Sequence, residues 1–182
     1  MLNILLLHEL LDRFAKLFPH KLVKFVNANQ KIMSSVIRVT KEFGFEMAHA
    51  LFNHDGPCRN VHGHSYRLFV TVSGVPENNP ASPKNGMVID FSDLKRIVRD
   101  EVIDRFDHAF VISGCYNCEK PGRLREMSEN TLVVNYQPTC ENLVADFAGR
   151  IIKRLPGRVK LCSLKLYETA SSYAEWVASD NE

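Results

Sequence analysis

The chain has 182 residues, of which 45% are apolar and 24% charged, and its formal net charge is +2. This is the composition of a soluble globular protein with enough chain to bury one core. So small a net charge gives no reason to expect a nucleic-acid partner, although it leaves room for a basic pocket that takes a phosphorylated ligand.

The N-terminal "MLNILLLHELLDRF" is rich in leucine. Glu9, Asp12 and Arg13 interrupt it before about 18 apolar residues accumulate, so it does not read as a membrane span. No basic stretch precedes the apolar run, so it is a poor secretory signal. The five cysteines, Cys58, Cys115, Cys118, Cys140 and Cys162, are odd in number. Free thiols or metal ligands in a reducing cytoplasm are expected, not a disulfide framework.

In chain order, residues 1–32 read as a helical extension, with Leu7, Leu10, Leu11, Phe14, Leu17 and Phe18 at helical spacing. Residues 33–182 form the domain, and Met33 is a possible start. From Val36 the period becomes two. Ile37, Val39, Phe43, Phe45, Met47 and His49 share one face of a half-buried strand. "NHDGPCRN" is a loop. A second strand follows, with His62, His64, Tyr66, Leu68, Val70 and Val72 on one parity.

"SGVPENNPASPKNG" is the next loop, and "MVID" reads as a short strand. Ser92 is placed to cap a helix through about Asp104. Residues 113–130 read as a polar loop, and its Cys115-x-x-Cys118 pair has no second pair to complete a metal site. "TLVVNY" reads as a strand. Thr139 caps a second helix striped by Leu143, Phe147, Ile151 and Leu155, which Pro156-Gly157 ends. "VKLCSLKLYE" is the last strand expected. The order suggests an α+β fold, with two helices on one face of an antiparallel sheet.

"CRNVHGHSYRLFV" carries the chemistry. Residues two apart on a strand point the same way, so His62 and His64 stand roughly 6–7 Å apart at the backbone. If the first two strands form an antiparallel hairpin, His49 meets them. Three neutral imidazoles around one ion, with a position left open, suit catalytic zinc. Cys58 leaves two readings open. It is a fourth ligand of a closed structural site, or it stands beside the metal unbound.

Six segments in order, "FGFEMAHAL", "CRNVHGHSYRLFVTVSG", "GMVIDFSDLK", "DRFDHAFV", "PTCENL" and "KLYETASSYAEW", resemble the 6-pyruvoyl-tetrahydropterin synthase / 6-carboxy-tetrahydropterin synthase family over about residues 36–176. The short spacing from cysteine to His-Gly-His is similar to the bacterial carboxy branch, which makes an early intermediate of queuosine and other deazapurines.

The resemblance implies a tunnelling fold. Subunits then assemble as a homo-oligomeric barrel with sites at their interfaces. It also implies 7,8-dihydroneopterin triphosphate as substrate, and His49, His62 and His64 as zinc ligands. Cys58 becomes the catalytic base, Asp107 and His108 the acid–base dyad, and Glu168 the pterin anchor. Thr139 caps its helix in any reading, and the same turn is placed for backbone contacts to the pterin. The extension over 1–32 and the long 113–130 loop depart from the simplest members.

The expected reaction is a lyase step that gives 6-carboxy-5,6,7,8-tetrahydropterin, acetaldehyde and triphosphate. The pyruvoyl product and a non-catalytic zinc-stabilised assembly module are the alternatives. A thiol near a metal ion ionises more readily than the ordinary value of about 8.5 allows, which suits a carbon base. Glu168 shares the inward parity of Leu164 and Leu166. Its carboxylate fits the two aligned donors of a pterin, but an internal salt bridge or a solvated strand end is also open. Lys41, Arg59 and Lys84 are among the candidates for the triphosphate.

Overall fold

The structure, a computed structural model, describes residues 35–114 and 128–181. The expected helical extension and the Cys115/Cys118 pair lie outside the described residues. The strands β1 (Ile37–His49) and β2 (His62–Gly74) pair antiparallel along their whole length, from Ile37 opposite Gly74 to His49 opposite His62. The alternation expected from the sequence holds from Phe43 onward, whereas Ile37 is exposed and Val39 half-buried. Phe43, Phe45, Met47 and His49 are buried, while Gly44 and Glu46 between them, and Glu42 before them, are exposed.

The "MVID" segment is not a strand. Residues 87–90 bury Val88 and Ile89 and lead directly into a helix, α1 (Phe91–Val98). Its cap is Asp90, not Ser92. The Asp90 carboxylate accepts from the Ser92 N–H at 2.7 Å, and its carbonyl accepts from Leu94 at 3.0 Å. Both residue types cap well, and the carboxylate adds a favourable charge at the helix start. Lys84 donates to Asp90 at 2.9 Å and to Asp93 at 2.7 Å, clasping the preceding loop to this first turn. The helical path continues through a π-type turn (Arg99–Ile103) and a last turn (Asp104–Phe106).

Two strands went unread in the sequence. One is β3 (Ala109–Ser113), and the other is the final β6 (Tyr173–Val177). Between them lie β4 (Thr131–Val134), α2 (Cys140–Ile152) and β5 (Lys160–Tyr167). The sheet order is β4-β3-β1-β2-β5-β6. From β1 to β6 it is antiparallel, as expected. β3 and β4 join in parallel, which makes the whole sheet mixed.

Both helices cover the same face. Leu94, Val98, Val102 and Phe106 from the first helical path meet Leu143, Phe147 and Ile151 from α2 over Phe45, Leu68, Val70, Leu164 and Leu166. Phe147 lies edge-on to Phe45 and Phe106. Each such side chain contributes about 1.5–3 kcal/mol on burial. The opposite face is polar. It carries a Thr40–Thr71 hydrogen bond and a Glu42–Arg67 ion pair at 2.7 Å. No described helix is long and apolar enough to cross a membrane.

Candidate metal centre and its surroundings

The hairpin register places His49 directly opposite His62, and Met47 opposite His64. The three imidazoles stand on the helix-covered face, where their ring centroids are 4.5, 5.0 and 5.3 Å apart. One nitrogen from each lies within 4.8 Å of the others. Gly63 lets the two strands approach closely between His62 and His64. A Cβ there would meet the Met47 carbonyl oxygen at 3.2 Å and the Ala48 Cα at 3.6 Å.

Backbone carbonyls orient two of the rings. His49 Nδ1 donates to the Pro138 carbonyl at 2.7 Å, and His62 Nδ1 donates to the Asn60 carbonyl at 2.8 Å. A carbonyl only accepts, so the Nδ1 atoms carry the protons and the Nε2 lone pairs remain for an ion. Burial lowers the pKa of His49 and favours its neutral, ligating form, against the opposing pull of the Pro138 carbonyl.

The fit of a cation is testable from the atoms themselves. Among the described side chains, His49 Nε2 and His64 Nε2 are buried without a hydrogen-bond partner. Glu168 Oε1 faces them at 3.6 and 3.8 Å. The lone pair of buried His49 Nε2 thus faces a carboxylate oxygen, which is costly unless a cation or a proton lies between them. The three histidines could therefore hold a metal ion. Cys58 is not in this donor group among the described residues. It is half-buried on a single 3-10 turn (Pro57–Arg59), whose carbonyl at Cys58 accepts from Leu51 N–H at 2.9 Å.

Glu168 ends the inward row of β5, as its parity suggested. Its Oε1 accepts from the Tyr66 hydroxyl at 3.2 Å. Burial, and next the Glu168 charge, push the Tyr66 phenol well above its ordinary pKa, so it remains a donor. Tyr66 and the carbonyls of Pro138 and Asn60 were not singled out from the sequence. The available signal was a phenol on the same parity as His62 and His64, since a buried hydroxyl needs a partner.

Asp107 and His108 form a pair. His108 Nδ1 donates to Asp107 Oδ1 at 3.0 Å, which leaves Nε2 as the outward nitrogen. The corner is pinned to β1: Glu46 N–H donates to the same Asp107 oxygen at 3.0 Å, and His108 N–H donates to the Glu46 carbonyl at 2.6 Å. His108 has φ of 55° and is 78% exposed. Left-handed backbone at a residue other than glycine is costly and clusters at functional positions. With Glu46, Ala48, Gly63, His64, Ser65 and Phe110 among its neighbours, His108 lines a cavity of about 390 Å³. Glu46, Ala48 and Ser65 belong to the polar face of the sheet, opposite the imidazoles of His49, His62 and His64.

Thr139 caps α2, accepting from Asn142 N–H at 3.4 Å, immediately after the Pro138 carbonyl that orients His49. Of the cations considered for triphosphate, Lys84 is engaged by Asp90 and Asp93. Lys41 lies over the rings of Phe43 and Phe91. Arg59 is on the Cys58 turn itself.

A family model described as 6-pyruvoyl tetrahydropterin synthase matches residues 38–178. A Haemophilus influenzae protein named 6-carboxy-5,6,7,8-tetrahydropterin synthase is 36% identical over 78% of this chain and 99% of its own. An Aquifex aeolicus protein of the same name is 31% identical over 76% and 96%. Among solved structures, an uncharacterized Wolinella succinogenes protein aligns with a TM-score of 0.62, at 23% identity over 80% of this chain and 99% of its own. Caenorhabditis elegans 6-pyruvoyl tetrahydropterin synthase aligns at 0.57, with 20% identity over 80% and 98%. These two likenesses are of fold.

Proposed function

The chain belongs to the 6-pyruvoyl tetrahydropterin synthase family and has its α+β tunnelling fold, and from that premise we propose that it is a zinc-dependent lyase. Its substrate is 7,8-dihydroneopterin triphosphate, and its products are 6-carboxy-5,6,7,8-tetrahydropterin, acetaldehyde and triphosphate. The observation that carries this reading is the set of converging histidine nitrogens, two of them buried and unpartnered, beside a carboxylate.

His49, His62 and His64 would hold the zinc. When bound, zinc polarises side-chain oxygens and makes their protons, and those on neighbouring carbon, easier to remove. Cys58, on its separate turn, takes a proton from side-chain carbon as general base. Glu168 accepts the pterin's amino and ring N–H donors, fixing the side chain over the centre. The backbone of the Thr139 turn borders the same space. His108, its tautomer set by Asp107, passes protons through Nε2 to and from the side-chain oxygens. Arg59, on the Cys58 turn, would be the cation that meets the triphosphate.

His108 opens on the sheet face opposite the imidazoles. The dyad of one protomer therefore serves the histidine centre of a neighbour, in a homo-oligomer with sites at its interfaces. Residues 33–182 make the catalytic domain, residues 1–32 extend it, and the protein works in the cytoplasm, in the queuosine or a related deazapurine route.

Incubation with 7,8-dihydroneopterin triphosphate, followed by mass spectrometry, tests the assignment. The expected result is the 6-carboxy product with one acetaldehyde per turnover. A 6-pyruvoyl product without acetaldehyde would move the chain to the sister activity. A zinc-loaded protein with no turnover would leave only an assembly role.

A further inference from the structure

Glu168 has two oxygens and two different surroundings. Oε1 lies 3.6 Å from His49 Nε2, 3.8 Å from His64 Nε2 and 3.2 Å from the Tyr66 hydroxyl. No described side chain bonds Oε2. His49 Nε2 offers a lone pair, because its Nδ1 proton goes to the Pro138 carbonyl, and the Tyr66 hydroxyl is the described side-chain group that makes a hydrogen bond to this carboxylate.

Tyr66 is itself rigid. It is 1% exposed, and its ring stacks on Phe45 with centroids 5.1 Å apart and planes 10° apart. The backbone of Glu168 is equally fixed. Its N–H and that of Thr169 both donate to the Ser172 carbonyl, and the Thr169 hydroxyl accepts from Ser171 and Ser172 N–H, closing the β5–β6 turn. What remains free is rotation of the carboxylate. A carboxylate beside a bound cation is drawn onto it, which would turn both oxygens away from a pterin.

We infer that Tyr66 is a positioning residue: it ties Glu168 Oε1 at the rim of the histidine centre and so leaves Oε2 directed at the pterin. The inference rests on the reading of Glu168 as the pterin anchor. Tyr66 touches neither substrate nor metal in this role. Its whole effect passes through Glu168.

The test is a double-mutant cycle on the zinc-loaded full chain, with Tyr66→Phe, Glu168→Ala and the pair. Phenylalanine keeps the ring and its stacking. The probe is oxidised neopterin, whose own fluorescence reports binding. Tyr66→Phe is expected to keep its zinc and weaken neopterin binding about tenfold, in keeping with the loss of one hydrogen bond to a charged group. With the triphosphate substrate, KM should rise by a similar factor while kcat stays within about threefold. Glu168→Ala should weaken binding more, and adding Tyr66→Phe to it should change nothing further.

Tyr66→Phe binding neopterin as the wild type does, or a double variant weaker than Glu168→Ala, would overturn the inference and leave the anchor reading intact. Glu168→Ala binding normally would overturn the anchor reading, and the inference with it. If Tyr66→Phe does not fold, a crystal structure of the wild type with neopterin decides. The pterin should meet Oε2 while Tyr66 still holds Oε1, and a Tyr66 hydroxyl turned away from Glu168 would refute the assignment.

Discussion

His49 and Pro138 are joined by a 2.7 Å hydrogen bond from the imidazole Nδ1 to the carbonyl. It links the end of β1 to the residue before the cap of α2. His49 therefore has a structural duty that His62, half-buried at the strand entrance, does not share. His62→Ala is expected to lose bound metal while its melting temperature without metal stays near that of the wild type without metal. His49→Ala should lose metal and also about 1–3 kcal/mol of stability, because the Pro138 carbonyl is left without its donor. Elemental analysis and urea unfolding of both variants separate the two effects.

Cys58→Ala distinguishes base from ligand. Because, among the described residues, the donor group contains the three histidines alone, the variant should retain close to one zinc per chain and its assembly state. Its turnover should fall by about two to four orders of magnitude, the usual span for a general base. Loss of zinc together with activity would make the cysteine a ligand, and wild-type activity would remove it from the mechanism.

The opposed faces of His108 and the histidine centre have a consequence for mixed oligomers. His62→Ala and His108→Ala should each be inactive alone. Co-expressed under two tags, they should recover roughly a quarter of wild-type activity by random pairing across a shared interface. If each protomer used its own dyad, mixing would restore nothing.

The Lys84 clasp predicts an acid-dependent loss. Hydrogen bonds from Lys84 lower the pKa of both Asp90 and Asp93 from 3.8. A carboxylate whose folded pKa is depressed stabilises the fold above its unfolded value, and that contribution disappears as pH falls through the folded value. Lys84→Ala should therefore lower the urea midpoint slightly at pH 7. The gap to the wild type should close as pH drops below about 3.8.

Much of this architecture was legible in the residues, for a physical reason. β1 and β2 are buried on one face only, so a period of two marks which histidines share a side. β3 gave no such signal. "AFVIS" is buried on both faces, and a short unbroken apolar run after a helix reads equally well as the helix end. β6 was passed over because its alternation is shallow, with none of its residues fully buried. Val88 and Ile89 of "MVID" are β-branched and favour a strand, but their burial serves a loop held closed by Glu77 N–H on the Met87 carbonyl at 2.9 Å. Strand direction is not encoded in a two-residue period either, so the parallel pairings of β3 could not be read. The site followed the same rule. Alternation carried the histidines and Glu168, while Pro138, Asn60 and Glu46 contribute backbone groups that no side-chain pattern announces.

The mixed sheet also orders events in time. Met47 meets His64 across one hairpin, but meets Ala109 only after all of β2 and α1 have intervened. Loop closure costs more entropy for the second pairing, so the hairpin is expected to form first. The three imidazoles are all carried by that hairpin, whereas Asp107 and His108 wait for the parallel pairing. In pulse-labelled hydrogen exchange, β2 amides should be protected before those of β3, and zinc added at the start of refolding should widen the interval. The three histidines that could hold an ion are then gathered while the Asp107–His108 corner is still unformed.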